Sequence, residues 1–281
     1  MTDQPDKGRV ADHYAKVDHP AGPAIYTRAD LHDAIFDLGN LRALVRDGPN
    51  SFLDLMSGPK CLVGSEVRRR AEKEGIDLTV YCFDIAFGKM PEDKKSELRA
   101  QGYRLATGDA TKGTGYKDGG FDSAASRFGV KNYQPDTQSG IFREVRRVLV
   151  PNGHFVLADM VASEVSYEWL QEERRRKSRH TVGEENAEHH IPTRAMWCRM
   201  LREAGLEPKT TDVYETKSLV ATTDWVKSKQ MSEDGMRDMN EFLLSAPDAV
   251  KKDMNIREEE VDGKRVVRID YPVVVIAARS V

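Results

Sequence analysis

Three acidic residues, each closing a short apolar run, carry the chemistry most legible in this chain: Asp54, Asp84 and Asp109. The first stands in Ser51-Phe-Leu-Asp-Leu-Met-Ser-Gly-Pro-Lys-Cys-Leu-Val-Gly64. There a strand (Phe52, Leu53, Leu55) runs through a small-residue turn (Ser57, Gly58, Pro59) into a helix. Such a turn presents backbone N–H groups and a helix N-terminus to a ligand. The charge of Asp54 selects among ligands, because it repels phosphate and suits a cation such as an amino group or a sulfonium. Asp84 lies 26 residues beyond Gly58, where an acid on a second strand can hydrogen-bond both hydroxyls of a ribose. Asp109 can accept from the exocyclic amine of an adenine. One acid at a strand end is commonly a turn or cap residue. Three on successive strands point to a nucleoside-like ligand at the carboxyl edge of a sheet.

The elements that must position these acids alternate. After the opening strand comes a basic helix over Val63–Glu74, stopped at Gly75, and then a strand at Leu78–Phe83 that ends at Asp84. A charged helix (Glu92–Gln101) precedes a short strand at Tyr103–Thr107, and Gly-rich turns lead to a fourth at Phe121–Ser126. A helix at Ser139–Leu149 and the turn Pro151-Asn-Gly153 introduce a fifth strand, His154–Asp159. This rhythm predicts a doubly wound, parallel α/β sheet. Upstream, residues 1–48 read as a helical arm, with an amphipathic helix over Ala29–Val45. Downstream, Ala162–His180 and Ile191–Ala204 read as helices of a lid spanning 162–206. Glu207–Tyr214 reads as a sixth strand and Thr222–Asp253 as a charged helical insert, within about 218–262. The chain closes with β runs at Val266–Ile269 and Val273–Ala277, pivoting near Pro272.

Composition narrows the class. Of 281 residues, 32% are charged and 39% hydrophobic, the net charge is −3, and no apolar run approaches the roughly 18 residues of a membrane span. The mild acidity argues against a dedicated nucleic-acid binder. Three scattered cysteines with no C-x-x-C pair offer neither a zinc site nor a disulfide framework. With an N-terminus that lacks an apolar stretch, they lead to an expectation of the cytoplasm.

In spacing, Asp54-x-Met56-x-Gly58-x-Lys60 resembles the acidic-x-Gly-x-Gly-x-Gly loop of class I S-adenosylmethionine (SAM) methyltransferases, keeping the acid and the middle glycine. A more specific resemblance lies in Phe121-Asp122, Ser126-Arg-Phe-Gly-Val-Lys-Asn132, and Phe142 through Asp159 with its Arg147-Val-Leu-Val-Pro-Asn-Gly153 turn. These, with Arg199–Leu206, are similar to methyltransferases of the ubiquinone/menaquinone-biosynthesis type, over about residues 50–215. The resemblance implies a Rossmann-like, seven-stranded sheet with a C-terminal antiparallel hairpin, helical cover segments and a core over 49–161. It implies SAM as cofactor and S-adenosylhomocysteine as product. Asp54, Met56, Ser57, Gly58 and Lys60 would face the methionine end, Asp84-Ile85 the ribose and Asp109-Ala110 the adenine. Ser126, Arg127 and Phe128 would line the strand end nearest the sulfonium. Met56 and Lys60 replace glycines of the pattern. Ordinary φ/ψ and packing under the ligand are expected for Met56. For Lys60 the readings are an outward direction or a pairing with the SAM carboxylate.

Other residues are candidates of a lesser kind. His189 and His190, adjacent and therefore on different sides of a helix, do not read as a metal pair; either can act on a substrate. Tyr14 and Tyr26, in the arm, can close over the cofactor, although a tyrosine there is more often packed or exposed. Arg174-Arg-Arg-Lys177 reads as a solvated helix face, with an anionic substrate or partner surface as the sharper alternative. The expected activity is in-line methyl transfer to a small-molecule acceptor enclosed by the cover, with no metal, nucleic acid or membrane partner. Alignment and water exclusion are the protein's main contributions to such a step. The alternatives are a SAM-fold enzyme of non-methylating chemistry, such as rearrangement or cyclisation, and a non-catalytic binding protein of this fold.

Overall fold

The computed structural model describes residues 29–39, 50–181, 189–227, 231–261 and 263–281. In chain order its elements are α1 (Ala29–Leu38), β1 (Asn50–Leu55), α2 (Leu62–Lys73), β2 (Leu78–Asp84), α3 (Glu92–Ala100) and β3 (Arg104–Thr107). Then come β4 (Phe121–Arg127), α4 (Pro135–Val148), β5 (Leu149–Met160), α5 (Tyr167–Thr181), α6 (Arg194–Glu203) and β6 (Leu206–Ala221). The chain ends with α7 (Thr222–Lys227), α8 (Glu233–Leu244), α9 (Asp248–Asp253), β7 (Arg257–Val261) and β8 (Lys264–Ser280).

The strands form one sheet in the order β3-β2-β1-β4-β5-β8-β6, with β7 paired to β8 outside that path. Strands β1 to β5 are parallel, and β8 is antiparallel to both β5 and β6. This is the doubly wound α/β sheet with a terminal antiparallel pair that the alternation and the resemblance predict. An eighth strand extends the seven along the far half of β8. The strand order reverses between β1 and β4, which makes their carboxyl ends the natural ligand crevice.

Side chains alternate between two cores, as the pleat requires. Phe52 of β1 faces α1 and α2 with Leu31, Ile35, Phe36, Val63 and Val67. Its neighbours Leu53 and Leu55 face the opposite layer, built from Ile141, Phe142 and Val145 of α4 and Trp197 and Leu201 of α6. Helix α4 shows why these residues form a helix. Pro135 occupies its first turn with Asp136, Arg146 and Arg147 sit in the last, and Ile141, Phe142, Val145 and Val148 fall on one buried stripe. Trp197 meets Phe142 edge-on at 5.8 Å and donates its indole N–H to the Met160 carbonyl at 3.0 Å. Helix α6 therefore packs on the sheet, whereas α5 packs on α8, with Trp169 stacked on Phe242 at 5.2 Å.

Two boundaries differ for physical reasons. The helix expected from Ile191 begins at Arg194, because Thr193 caps it by accepting the Met196 N–H. Strand β8 does not break at Pro272. The proline falls one residue beyond the last β5 pair, Met160↔Val273, so its missing N–H interrupts no bond to β5, and its carbonyl accepts the Val161 N–H at 3.1 Å. The arm residues Tyr14 and Tyr26 lie outside the described residues. Of residues 1–48 only α1 and Gly39 are described.

Candidate active site

The registers bring the sequence-derived residues to one edge. Leu55 pairs with Phe83 of β2 and Ser126 of β4, and Asp84 pairs with Thr107 of β3. The residues that follow these positions, Met56–Lys60, Ile85, Asp109-Ala110 and Arg127-Phe128, thus share the carboxyl edge.

The loop after β1 is held to β2 by its backbone. Met56 and Ser57 both donate to the Phe83 carbonyl, at 2.8 and 3.3 Å, and Gly58 donates its N–H to Asp84 Oδ2 at 2.8 Å. The other oxygen of Asp84 accepts the Ala86 N–H at 2.7 Å, capping the short turn Ile85–Gly88. Gly108 donates to the Asp84 carbonyl at 3.4 Å, so the third strand end is tied to the second. Asp109 accepts from the backbone and hydroxyl of Thr111, at 3.0 and 2.7 Å. Asp84 and Ile85 are half-buried at the edge, and burial raises the Asp84 carboxyl above its ordinary range against the pull of its two N–H donors.

Met56 corrects an expectation. It does not take ordinary φ/ψ but φ 58°, the left-handed region, so the main chain follows the path a glycine would take while carrying a side chain. Gly58 follows at φ 66°, where a Cβ would meet nothing within 4 Å, leaving open space above the loop. Lys60 is exposed, in line with the outward reading. The close approach of helix to strand, which a third glycine would give at position 60, is provided by Gly64 instead. A Cβ on Gly64 would lie 2.9 Å from Val80 Cγ1 and 3.2 Å from Asp54 Oδ2.

Asp54 sits beneath this loop, 1% exposed, with Oδ2 accepting the Gly64 N–H at 2.8 Å and Oδ1 buried without a hydrogen-bond partner. Its charge, rather than direct contact, is what reaches the crevice in this conformation, which modifies the expectation that it faces the ligand. Burial pushes its carboxyl up to about 7, against the Gly64 N–H and the Arg127 charge, with Asp84 adding to the rise. Arg127 Nη1 lies 3.1 Å from His32 Nε2 of α1, so the N-terminal helix reaches the end of β4. Phe128 also takes the left-handed region, at φ 55°. Ser126 Oγ is buried without a partner.

Lys131 and Asp159, to which the sequence reading gave no role in the site, complete the edge. Lys131 is buried, its ammonium donating to the Phe128 carbonyl and lying 3.9 Å from Asp159 Oδ1 at the end of β5. Burial lowers it to about 8, with Asp159 opposing and Arg174 adding to the shift. His190 is engaged on both ring nitrogens: Nε2 with the Tyr167 hydroxyl at 2.9 Å and, at the outer limit of hydrogen-bond length, Nδ1 with Gln138 Oε1 at 3.5 Å. Its backbone N–H donates to the Lys131 carbonyl at 3.0 Å, so its visible work is to hold the loop after β4. His189, by contrast, has an Nδ1 that is buried and unpartnered. Burial, and then the charges of Arg174, Lys131 and Lys177, hold its pKa well below the usual histidine range. Cys61 and Cys82 are both buried free thiols, and the Cys61 thiol together with burial holds the Cys82 thiol above its ordinary range.

The residues present fit SAM in the chemistry of their donors and acceptors. A carboxyl near neutrality underlies the loop, a glycine opens space above it, and Asp84 retains lone pairs beyond those bound by Gly58 and Ala86. No three or more metal-ligating side chains converge among the described residues, and no helix there is long and apolar enough to cross a membrane.

The fold, a parallel Rossmann-like sheet with a C-terminal antiparallel pair, is similar to that of methyltransferases among solved structures. Residues 61–157, about a third of the chain, match the family model described as a methyltransferase domain. The match is to the domain in general and does not single out the ubiquinone/menaquinone type. A search of curated protein sequences gives no match. Among solved structures, a protein of Bacillus halodurans C-125, provisionally assigned as a methyltransferase, is similar. It has 21% identity over 87% of this chain and 98% of that one, with a TM-score of 0.66. The YcgJ protein of Bacillus subtilis is 16% identical over 89% and 98%, with a TM-score of 0.70. The geranyl diphosphate C-methyltransferase of Streptomyces coelicolor A3(2), solved with Mg2+, geranyl diphosphate and S-adenosylhomocysteine, is 15% identical over 90% and 77%, with a TM-score of 0.51.

Proposed function

We propose that this chain binds SAM at the carboxyl edge of β1, β2 and β4 and directs its methyl group to a small-molecule acceptor held under α5. The observation that carries the reading is the bond from the Gly58 N–H to Asp84, which sets the open loop and the second strand's acid in one crevice. Bound there, SAM supplies an electrophilic methyl group on a sulfonium. Asp84 accepts the ribose hydroxyls, Asp109 with Ala110 borders the adenine, and Ser57, Gly58 and the left-handed Met56 shape the floor. Asp54 places negative charge beneath the cationic end. Ser126, Arg127 and Phe128 border the transfer path.

The remaining residues align the acceptor and exclude water, which is most of what a displacement at an already activated carbon requires. His189 is neutral at pH 7 and a weak base. Its Nδ1 is therefore suited to orienting a polar group of the acceptor more than to removing a proton. His190 fixes the loop through Tyr167 and Gln138. The loop path weighs against lost cofactor binding, since Met56 keeps the conformation of the glycine it replaces. Calorimetric titration with SAM and with S-adenosylhomocysteine tests the proposal. Micromolar binding of both is expected, and absence of binding by both overturns it.

A further inference from the structure

Helix α5 is amphipathic in the wrong sense. The stripe it buries reads Leu170, Glu173, Arg174 and Ser178, with the half-buried Lys177 beside it, spaced three and four apart and with a single apolar member. Its outward face carries Arg175 and Arg176, both paired with Glu172. The basic run 174–177 is thus buried at Arg174, exposed at Arg175 and half-buried at Arg176, which lies over the Phe242 ring, and at Lys177.

The inward cations differ in how they are matched. Arg174 forms an ion pair with Glu173 at 3.0 Å and lies over the Tyr271 ring at 4.5 Å, while the Tyr271 hydroxyl donates to Glu173 at 2.6 Å. Lys131 faces Asp159 at 3.9 Å. Lys177 has its ammonium 4.3 Å over the Trp225 ring and no carboxylate among the described residues within salt-bridge distance. It is half-buried. Burial and the charges of Arg174 and Lys131, opposed by Glu173, hold it well below the ordinary lysine range. His189, with its unpartnered Nδ1, feels the same three cations.

Burying cations together is costly unless something of opposite charge offsets them. Asp159 and Glu173 offset two. We infer that Lys177, with Arg174 and Lys131 beside it and the Trp225 and Tyr271 rings as walls, seats an anionic group of the acceptor, a carboxylate or a phosphate. The placement supports this, because Lys131 follows the β4 end that borders the transfer path and Asp159 ends the neighbouring strand. The inference rests on the methyl-transfer reading only in calling the bound molecule the acceptor.

The test uses the full chain and three single-tailed probes, octanoate, octyl phosphate and 1-octanol, titrated by calorimetry with and without saturating S-adenosylhomocysteine. At least one anionic probe is expected to bind about tenfold or more tightly than octanol. The preferred anion, octanoate or octyl phosphate, names the head group. Lys177→Met is expected to remove that preference while S-adenosylhomocysteine affinity stays within about twofold, and Lys177→Arg is expected to retain it. Octanol binding as well as both anions, or an unchanged preference in Lys177→Met, overturns the inference. If S-adenosylhomocysteine fails to bind while the anion preference persists, the cofactor reading fails and the anion seat stands. Thermal melting of each variant identifies loss of fold, and the octanol comparison on the wild-type chain remains decisive without any variant.

Discussion

Met56 lies against Gly129: a Cβ built on Gly129 would fall 2.5 Å from the Met56 sulfur and 2.8 Å from its Cβ. The loop after β1 and the loop after β4 are thereby fitted to each other at the switch point of the sheet. Gly129→Ala is expected to cost about 1–3 kcal/mol of stability and to weaken SAM binding by displacing the loop. Met56→Gly in the same chain should restore both. Urea denaturation and calorimetry measure the pair, and a Gly129→Ala chain with unchanged stability removes the contact from the account.

Asp84→Ala deletes the acceptor for Gly58 and Ala86 together with the proposed ribose acceptor. A loss of roughly 1–3 kcal/mol in SAM affinity, about five- to 150-fold, is expected. Equal affinities in the two proteins would exclude Asp84 from the site.

Asp54 makes stability depend on pH. Its folded pKa, about 7, exceeds the ordinary 3.8, so the folded state holds the proton more tightly than the unfolded state. The cost of ionising it is absent below pH ~4, grows as pH rises, and is complete above pH ~7. Asp54→Asn keeps an oxygen for the Gly64 N–H and removes the titration. Relative to the wild type it should gain roughly 3 kcal/mol between about pH 5 and about pH 8. Denaturation series at those two values compare the chains; parallel pH profiles would contradict the assignment.

Lys60 is exposed at the approach to α2. Lys60→Gly is accordingly expected to leave SAM affinity within about twofold, as for other exposed charges. A tenfold loss would show that the ammonium pairs with the cofactor's carboxylate, and a gain that it crowds the site.

The three acids were legible in the sequence because strand, turn and helix follow one another locally, and an acid at a strand end lies at the edge wherever the strand goes. Residues whose meaning depends on a partner far along the chain were not. Gly64 carries no signal of its own in the sequence, and its part appears only with Val80 and Asp54 placed behind it. Lys131 and Asp159 are 28 residues apart and meet only because β4 and β5 are neighbours. The run Arg174–Lys177 has the composition of a surface, and nothing within it says that Arg174 and Lys177 pack against rings; Tyr271 and Trp225 decide that. Met56 concealed a glycine's conformation because residue type is only a preference for φ, and packing against Gly129 holds it there.

Strand β8 runs without interruption from Lys264 to Ser280, pairing first with β7 and the far half of β6 and then with β5. Tyr271, which meets the cations of α5, and Val273, which pairs with Met160, are two residues apart on it. The cation cluster proposed to seat the acceptor is therefore spliced into the same ribbon as the central sheet whose edge is proposed to hold the cofactor. Recombination between relatives that sought to exchange one for the other would find no linker to cut there. The exchange must cross a ladder of backbone hydrogen bonds, so acceptor choice in this architecture changes more readily by point substitution on α5 than by wholesale transplant.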